Sequence, residues 1–116
     1  MRQLARIVPE PHGDVVTALI EGEIDMSNAP AIGNRLRDLL TNRSEALVVD
    51  LSGTTYMDSS GVALLFSLAD ELQRRQQRLH LVLPEDSQLV RAIRITGLDR
   101  AVPTHPTVDA ALAELH

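Results

Sequence analysis

The sequence predicts an α/β fold: one domain over residues 1–116, with a mixed sheet of four to five strands partly covered by about four helices. Three observations carry this. Ala46–Leu51 is apolar at nearly every position rather than at alternate ones, as in a strand covered on both faces. Short strand-like runs alternate with helix-period stripes in the order β-β-α-β-α-β-α-(β)-α, which layers helices on a sheet. With 116 residues, 44% of them hydrophobic, the chain can enclose one core. That core must be built from Leu, Val, Ile and Ala, because Tyr56 and Phe66 are the only aromatic residues.

Leu4 to Val8 and Val15 to Ile20 read as two strands. Pro9-Glu10-Pro11-His12-Gly13-Asp14 between them predicts a turn and an antiparallel hairpin. Gly22-Glu23-Ile24-Asp25 closes the second strand. The first helix is expected to start at Ser27 or Asn28, with Pro30 in its opening turn. It carries Ile32, Leu36, Leu39 and Leu40 on one stripe and ends at Thr41-Asn42-Arg43-Ser44. The strand Ala46–Leu51 precedes a second helix, expected from Ser60 to Gln76. At about 100° per residue, Val62, Leu65, Phe66, Ala69 and Leu72 form its core stripe. Ala63, Leu64, Ser67, Asp70, Glu71 and Arg74 fall on the side of Ser60, a mostly small and polar face. Leu64 there can mark an interface, or Leu64 and Leu68 can pack under a neighbouring helix.

Leu79–Leu83 is a further strand. Asp86 or Ser87 caps a third helix bearing Leu89, Val90 and Ile93. Gly97 takes its left-handed terminal position, with Leu98 folding back on Ile93. A short strand is expected around Val102, before Pro103. Thr107 caps a last helix with Val108, Ala111, Leu112 and Leu115 on one stripe.

The net charge of −5 argues against broad nucleic-acid binding, and Arg74, Arg75 and Arg78 read as a solvated helix end. The absence of cysteine excludes disulfides, thiol catalysis and thiolate-bound metal. No apolar run approaches the roughly 18 residues of a membrane span, and no apolar signal region opens the chain. The expectation is a soluble, cytoplasmic protein without membrane contact. His12, His80, His105 and His116 are scattered, with no pair at helical spacing, so no metal site is expected. The nucleotide-binding and nucleophile-elbow motifs are missing as well, so neither cofactor nor enzymatic activity is expected.

The informative junction is Tyr56-Met57-Asp58-Ser59-Ser60-Gly61, between a strand and a helix. It sets two hydroxyls and a carboxylate at a helix N-terminus, where backbone N–H groups point outward and the dipole favours negative charge. Ser59 there can cap the helix, bind an anion or accept a phosphoryl group. Asp58 reads as a cap or turn residue, Ser60 as a donor or acceptor that places the loop, and Gly61 as a point of close packing. Thr54 and Thr55 are turn residues or secondary modification sites. Glu21, Glu23 and Asp25 alternate along a strand end, either as a solvated edge, the simpler reading, or as a cluster that contacts a basic partner or binds a cation.

Gly22-Glu23-Ile24-Asp25, Val48-Val49-Asp50-Leu51, Tyr56-Met57-Asp58-Ser59-Ser60-Gly61 and Ile95-Thr96-Gly97-Leu98, in this order over nearly the whole chain, resemble the STAS-domain anti-sigma factor antagonists of bacteria. The resemblance implies a STAS-like fold and a phosphoacceptor at Ser59. Its implied partners are an anti-sigma factor serine kinase of the Bergerat-fold ATPase type, bound by the unphosphorylated form, and a phosphoprotein phosphatase that restores that form. Partner contacts are then expected at Asp58, Ser60, Gly61, Ala63, Leu64 and Ser67, with Glu23 and Asp25 in support. The alternative is a constitutive STAS-like scaffold subunit of a transport or stress-signalling assembly.

Overall fold

A computed structural model describes residues 5–116. Its elements are strands β1 (Ala5–His12), β2 (Val15–Ile24), β3 (Ala46–Asp50), β4 (Thr54–Met57), β5 (Arg78–Val82) and β6 (Thr104–His105). The helices are α1 (Ala29–Asp38), α2 (Ser59–Arg74), α3 (Val90–Thr96), α4 (Leu98–Ala101) and α5 (Val108–Leu115). The strand order is β1-β2-β3-β5-β6, with β4 paired to β2. Only β1 runs antiparallel to its neighbour.

The hairpin is longer than its prolines suggest. β1 passes through Pro9 and Pro11, opposite Ala18 and Val16, and the turn shrinks to Gly13-Asp14, with Gly13 at φ 66°. Both prolines tolerate strand geometry because β1 is an edge and their missing N–H groups fall on alternate, like-facing positions. Leu4, where the sequence places the start of this strand, lies outside the described residues.

β3 is buried at every position and pairs in parallel on both sides, as its apolar run requires. Its residues alternate between two cores. Leu47 and Val49 join Ile20, Leu36, Leu65, Leu68, Leu72, Leu81 and Ile93 under α1, α2 and α3. Ala46 and Val48 join Val15, Val82, Ala111 and Leu115 under α5. The helices therefore cover opposite faces of the sheet.

Two elements escape the sequence pattern. β4 is only Thr-Thr-Tyr-Met. It continues the lane that β3 leaves, pairing with Gly22–Ile24 through a register shift at Gly22, whose φ of 113° only glycine adopts readily. α4 follows α3 directly, because Gly97 at φ 81° ends one helix and opens the next. The last strand falls two residues later than expected, at Thr104–His105, because Val102 N–H still donates to Leu98 C=O. α3 begins at Val90, with Ser87 Oγ accepting from Leu89 N–H ahead of it. Thr107 caps α5 as expected, its Oγ1 accepting from Ala110 N–H.

The buried arc of α2 is also displaced. Gly61, Val62, Leu65, Leu68 and Leu72 form it, while Phe66 is 36% exposed and Ala69 half-buried. Phe66 instead overlooks a cleft of about 450 Å³ shared with Leu79, Ala101 and Pro103. α1 packs on α2 at Leu64 and Glu71, and Leu68, between them along the chain, is fully enclosed. Leu64 is half-buried against the same core.

Candidate functional site

The mouth of α2 is assembled by the β2–β4 pairing. Asp58 N–H donates to Ile24 C=O, and Thr54 Oγ1 donates to Ile20 C=O, so the chain leaves β4 beside the end of β2 and turns at once into the helix. Thr54 is buried in that bond, which removes it from the accessible hydroxyls; Thr55 is exposed and donates to Gly22 C=O.

Asp58 is the N-cap of α2. Its Oδ1 accepts from Ser60 N–H at 2.8 Å and Gly61 N–H at 3.4 Å. Its Oδ2 accepts from Met26 N–H at 3.2 Å, which ties the β2–α1 loop to the helix mouth. Ser59 is the first helical residue and exposed, and among the described residues its hydroxyl has no hydrogen-bond partner. The capping role open to Ser59 in the sequence is thus taken by Asp58. With Ser60 and Gly61 N–H already engaged, an anion on Ser59 meets the helix dipole but not those two donors. Among the described residues no base is hydrogen-bonded to the Ser59 hydroxyl.

Gly61 is buried. A Cβ there would sit 2.5 Å from Met57 Cγ and 3.0 Å from Ile24 Cγ2, so its contribution is close approach of helix and strands. Gly33 acts similarly between α1 and α2: its Cβ would meet Leu64 Cδ1 at 2.6 Å. Above that contact lies an open, mainly apolar groove of about 400 Å³, lined chiefly by Met26, Ala29, Pro30, Ala63, Leu64 and Ser67, with Ser60 at its edge. Arg37, paired with Glu71 of α2, also lines it. The groove collects Ser60, Ala63, Leu64 and Ser67 from the sequence-predicted set.

Glu23 and Asp25 lie on the adjoining strand end, where Asn28 knits the loop. Asn28 does not cap α1 with its side chain; its Oδ1 accepts from Asp25 N–H and its Nδ2 donates to Glu23 C=O. The Asp25 carboxylate accepts from the Ser27 hydroxyl and, at 2.8 Å, from Ser27 N–H. These bonds, the hydroxyl first, hold Asp25 below the usual carboxylate range.

Met26 was not legible as part of the site. It is 77% exposed beside the groove, the most exposed large apolar side chain among the described residues. The one available signal was a lone methionine in a stretch otherwise made of capping residues.

The STAS domain family profile matches residues 6–111 of this chain. A Mycobacterium tuberculosis H37Rv protein named anti-sigma-F factor antagonist RsfA is 32% identical over 108 residues, covering 88% of this chain and 80% of that protein. An anti-sigma-B factor antagonist of Listeria monocytogenes is 32% identical over 91 residues, covering 78% and 79%. The crystal structure of an anti-sigma factor antagonist from Mycobacterium paratuberculosis superposes with a TM-score of 0.83 at 31% identity, covering 95% of this chain and 92% of that one.

Proposed function

This chain belongs to the STAS domain family, and on that premise we propose that it is a cytoplasmic anti-sigma factor antagonist controlled by phosphorylation of Ser59. In its unphosphorylated form it docks on an anti-sigma factor kinase of the Bergerat-fold ATPase type and frees the sigma factor; a phosphatase resets it. The proteins named as antagonists, alike over most of their length, support the regulatory class. The observation that carries the switch is the free, exposed hydroxyl of Ser59 next to the Met26–Leu64 groove.

The physics of such a switch is local. A phosphate adds about −1.5 to −2 charge. The positive end of the α2 dipole favours it, while neighbouring Asp58 opposes it. The domain keeps its fold, since among the described residues the Ser59 hydroxyl makes no hydrogen bond that the modification would break. A partner seated on the groove would have to desolvate a dianion without a matching cation, which is strongly unfavourable. Each loss of about 1.4 kcal/mol is tenfold in affinity. Asp58, Ser60, Ala63, Leu64 and Ser67 form the contact surface in this reading, Gly61 shapes it from beneath, and Glu23 and Asp25 flank it.

The test is incubation with the cognate kinase and ATP, followed by intact-mass analysis and peptide mapping. One phosphate on Ser59, with loss of kinase binding, is the expected result. Absence of any adduct, together with partner binding that Ser59→Asp leaves unchanged, would favour the constitutive scaffold instead.

A further inference from the structure

On the face of the sheet opposite α2, β5, β6 and α5 bring together three ligand-type side chains that lie far apart in sequence. His80 points from β5 toward α5, on the same side as Val82, and is 3% exposed. His80 Nδ1 lies 2.9 Å from His105 Nε2 on β6. Glu114 Oε2, on α5, lies 3.0 Å from His105 Nε2 and 3.7 Å from His80 Nδ1. The sequence spacing of the histidines hid this, because the pairing is made by parallel strands rather than within a helix.

We propose that His80, His105 and Glu114 form a binding site for a divalent transition-metal ion of the zinc type, clamping α5 to β5 and β6. The donor set, two imidazoles and a carboxylate, suits that ion. In a tetrahedral zinc site with bonds of about 2.0–2.2 Å, adjacent ligand atoms sit roughly 3.3–3.6 Å apart. The separations of 2.9 and 3.0 Å fall short of that range and the one of 3.7 Å just exceeds it, so small side-chain rotations are needed to bring all three to it.

Proton accounting points the same way. His105 Nε2 faces both His80 Nδ1 and Glu114 Oε2 at hydrogen-bond distance. One proton on it serves only one of them; if it carries none, its lone pair faces the carboxylate. A cation between the three atoms satisfies all of them together. The two ring planes are 4° apart with centroids separated by 5.1 Å, so the rings meet nitrogen to nitrogen. Uptake of an ion turns both rings toward Glu114 about their soft Cβ–Cγ torsions. Glu114 is exposed, which leaves an entry path and a fourth position for water.

The experiment titrates the metal-free full chain with Zn²⁺ against a chromophoric chelator, alongside thermal unfolding and the visible spectrum of the Co²⁺ form. The expected result is one ion per chain, a raised unfolding midpoint and a tetrahedral Co²⁺ spectrum. Glu114→Gln, an exposed change that leaves the fold intact, should weaken binding by at least the roughly tenfold seen when even a supporting partner of a metal ligand is removed. His105→Asn should do the same, and a His12→Ala/His116→Ala double variant should bind like wild type. Failure to compete with the chelator, binding unaltered by Glu114→Gln and His105→Asn, or binding lost in the double variant would each overturn the proposal.

Discussion

Asp58 and Met26, 32 positions apart in sequence, are joined by a hydrogen bond from the Met26 N–H to Asp58 Oδ2. The other oxygen of the same carboxylate caps α2. One side chain thus holds the β2–α1 loop against the helix whose first residue is Ser59, and it fixes the groove's rim and the hydroxyl in a single unit.

Asp58→Ala removes both bonds and should lower stability by about 1 kcal/mol, the usual loss for an N-cap. Asp58→Asn keeps a cap oxygen of comparable quality, but its amide nitrogen cannot accept from Met26 N–H, so it should fall between Asp58→Ala and wild type. Urea unfolding of the two variants separates the readings. Equal losses in both would mean that the bond to Met26 and the negative charge, not the cap oxygen, carry the effect.

The two buried glycines should respond differently to a methyl group. At Gly61 the added Cβ meets the middle of the buried Met57 side chain and Cγ2 of Ile24, which is β-branched and stiff at χ1. Gly61→Ala should therefore be destabilising by about 1–3 kcal/mol. At Gly33 the obstacle is the tip of Leu64, which has the open groove to move into, along with the flexible end of Arg37. The better helix propensity of Ala, about 1 kcal/mol, offsets that shift, so Gly33→Ala should sit close to wild type. Chemical denaturation of both variants checks the order; Gly33→Ala proving the more damaging would contradict it.

Much of this architecture is legible in the chain because the signals are strong and local. β3 is apolar at nearly every position and proves buried at every position. Thr107 is followed by a clean stripe and does cap α5, and Gly97 stands where a left-handed residue is needed. β4 is illegible because four residues of mixed polarity acquire strand geometry only from the end of β2. The arc of α2 is misplaced because helical periodicity gives a stripe's width but not its centre when leucines surround it; α1 meets α2 at Leu64 and Glu71, and Leu68, between them along the chain, is fully enclosed. At the site, the strand–loop–helix position of Asp58 and Ser59 is readable, whereas the exposure of Met26 depends on a loop shaped by Asn28 and Asp58.

That misplaced arc has an energetic counterpart. Leu68 is 0% exposed, and Leu68→Ala should be destabilising by about 2–5 kcal/mol, the range for an enclosed leucine. Phe66 faces solvent and a cleft, so Phe66→Ala should lose clearly less despite the larger side chain. Thermal and urea unfolding should rank Leu68→Ala well below Phe66→Ala. The reverse ranking would restore the stripe expected from periodicity alone.

Asp25 supplies a pH test. Hydrogen bonds from Ser27, its hydroxyl first, lower the folded carboxyl pKa. The unfolded chain then binds more protons than the native one between the folded value and the ordinary carboxylate value of about 3.9. The contribution to stability is complete above that ordinary value and disappears as the pH falls through the folded one. Ser27→Ala removes the larger cause and one donor. NMR titration of the Asp25 carboxyl carbon should show a higher midpoint in Ser27→Ala than in wild type, with a smaller acid-induced loss of stability. Identical midpoints would mean that the Ser27 hydroxyl does not control this group.

Ser59 itself offers the sharpest separation of fold from function. Because Asp58 carries the cap and the Ser59 hydroxyl has no partner among the described residues, Ser59→Ala should change stability by no more than about 0.5 kcal/mol, as for an ordinary surface position. A plain capping serine would instead lose about 1 kcal/mol. The same variant should take no phosphate from the cognate kinase and bind it permanently, whereas Ser59→Asp should bind more weakly, within the limits of Asp as a stand-in for a dianion. Unfolding curves measure the first property, and mass analysis with a binding titration measures the others. A destabilised Ser59→Ala would return the residue to a structural role; a stable variant still phosphorylated at its full level would move the acceptor to another hydroxyl, Ser60 and Thr55 being the nearest of the serines and threonines along the chain.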